Sequence, residues 1–248
     1  MITLIASVIT FALTSVMAMA GVGAAFILVP IFIALGIEIH AAMAVALLLN
    51  AISTSVSSAT FIRKKLVEWQ LAIPILLVAV TLSPFGVYAS QRLDKHILLW
   101  CFIAFLFFAS AMMLFYTPKK SMSVNSPRKQ ILSGSLIGGI AGFIGGLLGV
   151  GGGSIIVPAL VGSGVEPKQA SATASIVVVF ASFTGFLAHA TVTGIQPDLL
   201  IGTAMASASG AALGAWMMSE KLKSSQLKLI IGSVLLLTAL KMLWGQFS

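Results

Sequence analysis

The sequence predicts an all-α, polytopic membrane protein made of two halves of about five helical segments each, and three observations predict it. The chain has 248 residues, 59% hydrophobic and only 8% charged, with a mean hydropathy of +1.11. Soluble domains carry roughly 25% charged residues. Apolar runs of about 20 residues, long enough to cross a bilayer core, recur along the chain, and residues 1–37 hold no Asp, Glu, Lys or Arg. The third observation is a repeat. Gly149-Val150-Gly151-Gly152-Gly153-Ser154-Ile155-Ile156-Val157-Pro158 has a weaker copy near the amino terminus, Gly21-Val22-Gly23-Ala24-Ala25-Phe26-Ile27-Leu28-Val29-Pro30.

Segment 1 spans about residues 2–20. Ala18-Met19-Ala20 looks like a signal-peptide terminus, but no Lys or Arg precedes the apolar run. Its repeat partner lies mid-chain, so segment 1 is expected to stay as a membrane helix. Segment 2, about residues 24–35, is too short to span comfortably. Segment 3, about residues 40–62, sets Asn50, Ser53, Thr54, Ser57 and Ser58 on one helical stripe. Such hydroxyls either bond back to their own helix or line a polar cavity, and the Asn50 amide favours the cavity.

Segments 4 (71–90) and 5 (97–116) complete a first membrane repeat, residues 1–116. A linker rich in Pro, Ser and basic residues, 117–130, leads to the second repeat, 131–248. Segment 6 places Gly134, Gly138, Gly142 and Gly146 at every fourth position, which lets another helix approach closely. An alanine at Gly138 is expected to be tolerated or mildly destabilising. The partner positions in segment 1 are Ala6, Thr10, Thr14 and Ala18, all small. Segment 7 is the short run after the triple glycine, and segments 8 (169–189), 9 (199–218) and 10 (226–244) follow. The offset that carries Gly21 onto Gly149 also matches Glu38 with Glu166, Leu71 with Leu199 and Gly86 with Gly214.

Charge predicts orientation. The loops at 63–68, 119–129 and 220–228 together carry the whole net charge of +8, and the other loops together with Lys241 sum to zero. Basic loops stay cytoplasmic. Loop 63–68 is then inside while its repeat partner 190–198 is outside, so the two repeats are predicted to be inverted. Segments 2 and 7 are short or re-entrant, and a hairpin has the same parity as two crossings. The positive charge sits in membrane-flanking loops and does not imply nucleic-acid binding.

Inverted repeats with paired broken segments point to a secondary transporter with its site near the midplane. A short helix preceded by glycines offers unpaired amides and the positive end of its dipole, which suits an anion. The expected substrate-binding set is Gly21, Gly23, Asn50, Thr54, Gly149, Gly151, Gly152, Gly153, Ser154 and Ser175. Glycines can instead serve packing alone, but three adjacent glycines cannot share one face, which favours the anion. Gly152→Val is therefore expected to abolish transport and leave the fold intact. All six acidic residues map to loops or segment ends, so no carboxylate cage for a cation is expected.

Enzyme classes find no support: there is no His-Glu-x-x-His, no intramembrane aspartate pair and no nucleophile elbow. Neither a metal nor another cofactor is implied. Cys101, the lone cysteine, is expected to be a packed thiol. His189 is expected at the interface and Lys241 is expected to snorkel.

Gly-x-Gly-Gly-Gly-x-(Ile/Leu)-x-x-Pro, matched at Gly149, Gly151, Gly152, Gly153, Ile155 and Pro158, resembles the TauE/SafE sulfite-exporter family of bacterial inner-membrane proteins. The first copy has Ala24 and Ala25 where glycines are usual. The resemblance covers nearly the whole chain and implies export of small sulfur-containing anions, such as sulfite or organosulfonates. A passive anion channel and a non-transporting scaffold or assembly factor stay open as alternatives. The expected partners are the small anion and the lipid bilayer; the oligomeric state is open, a homodimer included.

Overall fold

The computed structural model describes residues 2–20, 22–115, 127–190 and 197–244, and within these the chain forms ten α-helices. They are α1 (Ile2–Ala20), α2 (Ala25–Ala34), α3 (Ile39–Arg63), α4 (Trp69–Ser90) and α5 (Lys95–Phe115), then α6 (Pro127–Leu148), α7 (Gly153–Gly162), α8 (Pro167–Ala190), α9 (Pro197–Glu220) and α10 (Ser224–Trp244). Helix α6 begins at Pro127 rather than at 131; proline suits a first helical position because its missing N–H would be unpaired there anyway. Most of the linker lies outside the described residues. Six helices, α3, α4, α5, α6, α8 and α9, are long and apolar enough to cross a membrane. Many of the large exposed side chains are apolar, Phe108 at 69% and Leu136 at 65% among them, as a lipid-facing surface requires.

Close backbone contacts set the helix directions. On α6, Gly138 faces Ile75, Gly142 faces Ala79 and Gly146 faces Ser83 of α4, so these two helices run parallel. A Cβ on Gly138 would lie 2.4 Å from the Ile75 carbonyl oxygen. Of the two outcomes expected for alanine there, tolerated or mildly destabilising, this contact favours destabilisation, because the neighbour is backbone and cannot turn aside. Gly210 faces Phe11 and Gly214 faces Ser15, so α9 runs parallel to α1. These two pairings correspond across the repeat offset. A Cβ on Gly86 would sit 2.0 Å from the Phe143 carbonyl oxygen, and one on Gly214 2.1 Å from that of Ser15. The offset that carries Gly21 onto Gly149 carries Gly86 onto Gly214 and Ser15 onto Phe143.

Helices α3 and α8 run antiparallel through the centre. His40 meets His189, Leu47 meets Gly185 and Asn50 meets Ser182. At one end of this pair, Gln169 Nε2 donates to Glu68 Oε1 at 2.8 Å and the Glu68 amide donates to Thr173 Oγ1 at 3.0 Å. Lys64 pairs with Glu220 there. This is the end that carries the basic loops. At the other, Glu38 caps α3 by accepting from the His40 and Ala41 amides. Burial pushes its carboxyl up, but those two bonds and the nearby imidazoles outweigh burial and hold it below the usual range.

The directions fix the two broken pairs. Helix α6 starts at the basic end, and α7 returns there to reach α8. Helices α1 and α2 start from and return to the opposite end. Each pair is therefore a hairpin, and the bends meet in the middle, where a Cβ on Gly153 would lie 2.4 Å from the Val22 carbonyl oxygen.

Two single-residue expectations change. Cys101 is exposed rather than packed, because it lies on the outward face of α5, with Phe102 and Ile103 beside it turned into the core. His189 is fully buried rather than interfacial, its ring 5.8 Å from that of His40, because the end of α8 is turned inward against the start of α3.

Candidate functional site

The two bends are built from positive-φ glycines, Gly23 at φ 77 in the first and Gly149, Gly151 and Gly152 at φ 67, 72 and 76 in the second. L-residues rarely adopt this conformation. Gly152 is the N-cap of α7 and supplies no side chain to the helix's first amides. Among the described residues, the amides of Gly153 and Ser154 meet no acceptor, and the buried Ser154 hydroxyl has no partner. Buried donors are seldom left so.

Asn50, fully buried at the middle of α3, reaches both bends. Its Oδ1 accepts from the Ala25 amide at 3.4 Å, and its Nδ2 donates to Ser182 Oγ at 2.9 Å. A Cβ on Gly23 would collide with Asn50 Oδ1 at 1.8 Å, and one on Gly151 with Ser182 Oγ at 2.2 Å. The counterpart of Asn50 in the second repeat is Val178, which lies against Gly151 and Gly153. The side-chain carbonyl that caps α2 therefore has an apolar counterpart at α7, and the α7 amides stay open.

The triple glycine is packed as well as bare. A Cβ on Gly151 meets α3 and α8 side chains, one on Gly152 meets the Ala141 carbonyl oxygen at 2.7 Å, and one on Gly153 meets Val22. Three adjacent glycines do not share a face, as expected, yet each has its own neighbour. Packing therefore accounts for the triple glycine better than the sequence suggested. The expectation for Gly152→Val is corrected: the substitution would strain a positive φ and press on α6 backbone, disturbing the fold itself.

Gly21 lies outside the described residues. Gly23, Asn50, Gly149, Gly151, Gly152, Gly153 and Ser154 come together at the meeting of the bends. The polar stripe on α3 is closed rather than open: Ser53, Thr54 and Ser57 are at most 2% exposed. Ser53 and Thr54 donate to the Asn50 carbonyl at 3.0 and 2.6 Å, and Ser57 donates to that of Ser53 at 2.9 Å. Ser175 is also buried and donates to the Ser171 carbonyl at 3.0 Å. Sequence reasoning missed Ser182, although it takes the place of Thr54 in the second repeat and the repeat register could have flagged it. The described residues hold no cluster of His, Cys, Asp and Glu able to take a metal.

Six membrane-length helices around a buried polar junction mark a multi-pass membrane protein, and similarity to known proteins gives its class. The model of the sulfite exporter TauE/SafE family matches residues 6–242, so the chain belongs to that family. A relative from Sinorhizobium fredii, named as a probable membrane transporter protein, y4hK, is 25% identical over 205 residues, covering 80% of this chain and 81% of its own. Another from Bacillus subtilis, the probable membrane transporter protein YunE, is 26% identical over 223 residues, covering 81% of this chain and 80% of its own. No solved structure matches. The protein is a multi-pass bacterial membrane transporter and not an enzyme.

Proposed function

We propose that the protein is a secondary transporter of small sulfur-containing anions, sulfite or organosulfonates, which bind at the amino end of α7 near the membrane midplane. The observation that carries this reading is the pair of open amides at Gly153 and Ser154 beside an unpartnered Ser154 hydroxyl. Helix N-termini attract anions through free N–H groups and the macrodipole. Each hydrogen bond to a charged group contributes roughly 1.5–3 kcal/mol. A divalent or monovalent oxyanion with three oxygens could take several such donors at once. The family name supplies the sulfur chemistry.

Alternating access follows from the same parts. The two halves, residues 1–116 and 131–248, act as inverted repeats whose hairpins rock against the α3–α8 pair. Support comes from the corresponding contacts Gly86–Phe143 and Gly214–Ser15, and from hairpins that enter at opposite ends. Asn50 ties both bends in the closed arrangement, and an arriving anion would compete for the donors around it. The test is counterflow in proteoliposomes: labelled sulfite should accumulate against excess internal sulfite and saturate. Flux that rises linearly with concentration would favour a channel, and no flux at all a scaffold.

A further inference from the structure

The two halves differ at one place in a way that transport of a small anion does not require. Helix α5 of the first half packs against α7 of the second. The counterparts at the repeat offset are α10 of the second half and α2 of the first, and between them and α1 a cleft of about 370 Å³ opens. Its wall is apolar, with Met17 of α1, Pro30 and Ile31 of α2 and Leu237 of α10, and its polar groups are Thr238 and Lys241 of α10. At the same repeat register, Thr238 corresponds to Ser110 and Lys241 to Met113 on α5. Both α5 residues are 1% exposed, and Ser110 donates to the Gly232 carbonyl at 2.9 Å. The α5–α7 contact is filled where its α10–α2 counterpart is hollow, and a lysine replaces a buried methionine at the rim.

We propose that this cleft holds one acyl chain of an anionic phospholipid, with the headgroup phosphate on Lys241. The cleft lies between the apolar helices α1, α2 and α10, at the end of α10 remote from the basic loops, so a lipid can enter sideways from that leaflet. Lys241 makes no ion pair among the described residues, and it is exposed, free to swing to the headgroup level. The stretch from Leu237 inward is lined by apolar side chains only, as an acyl chain needs and a hydrated ion does not. A bound chain would fill the gap between α10 and the α1–α2 hairpin and brace that hairpin.

Native mass spectrometry with dioctanoyl phosphatidylglycerol, dioctanoyl phosphatidylcholine and glycerol phosphate tests the assignment. The wild type should prefer phosphatidylglycerol over phosphatidylcholine by about five-fold, the attraction of one lysine for an anionic lipid. Lys241→Gln should erase that preference, and Lys223→Gln, at the opposite end of α10, should keep it. Thr238→Phe, which fills the cleft, should weaken binding of both lipids. Three results would overturn the proposal: an unchanged preference in Lys241→Gln; glycerol phosphate displacing phosphatidylglycerol at equal concentration; or a dimer that Thr238→Phe breaks while lipid binding persists, which would assign the cleft to a second copy of the chain.

Discussion

Asn50 Nδ2 donates to Ser182 Oγ at 2.9 Å across the interface of α3 and α8, joining the two halves of the chain at the depth of both glycine bends. Asn50 Oδ1 meanwhile accepts from Ala25 at the start of α2. Replacing Asn50 with Leu strips both the Ala25 amide and the Ser182 hydroxyl of a buried partner, at about 1–3 kcal/mol each. Asn50→Leu should lower transport at least ten-fold. Ser90→Ala should change it little, because Ser90 bonds only to the Val87 carbonyl of its own helix. Ser182→Ala should fall between them. Proteoliposome flux checks the order, and equal effects at Asn50 and Ser90 would return Asn50 to ordinary packing.

Two neighbouring glycines on α6 should behave oppositely. A Cβ on Gly138 meets Ile75 backbone at 2.4 Å, whereas one on Gly139 meets nothing closer than Leu82 Cδ1 at 3.5 Å. Overpacking costs typically about 1–3 kcal/mol, so Gly138→Ala should melt several degrees lower. Gly139→Ala should melt at or above the wild type. The thermal transition in detergent checks both, and two equal shifts would contradict the parallel packing of α4 on α6.

Topology gives a third expectation. Single cysteines at Ser123 and Ser224, in a Cys101→Ala background, should be labelled only from the cytoplasm, and one at Gln196 only from outside. Impermeant maleimide applied to intact cells and to inverted vesicles checks it. Gln196 and Ser224 labelled from one side would sink the inverted arrangement.

Much of the fold was legible in the sequence because hydropathy in a membrane protein reports helix position directly. All ten segments appear with ends within a few residues of their predicted bounds, Pro127 excepted. The offset linking Gly86 to Gly214 also proved to be a contact rule, since each meets the matching carbonyl of the other half. What the sequence did not reveal was which helix packs on which. The cost of alanine at Gly138 was left between tolerated and mildly destabilising because its neighbour was unknown, and His189 was read as interfacial because its inward turn depends on α3. Thr54 and Asn50 looked alike as members of one stripe. The Thr54 hydroxyl satisfies itself on its own helix, whereas the longer Asn50 amide reaches other chain segments, and only tertiary contact separates the two.

The measurement closest to the central claim is sulfite affinity of Ser154→Ala, determined by calorimetry on the purified protein alongside its melting temperature. The wild-type hydroxyl is buried without a partner, so its removal should leave the melting temperature unchanged or slightly raised. The loss of a hydrogen bond to a charged ligand should weaken sulfite binding about ten-fold or more. Ser163→Ala, whose hydroxyl bonds to the Ala159 carbonyl at the far end of α7, should bind sulfite as the wild type does. Unchanged affinity in a folded Ser154→Ala protein would contradict an anion site at the start of α7.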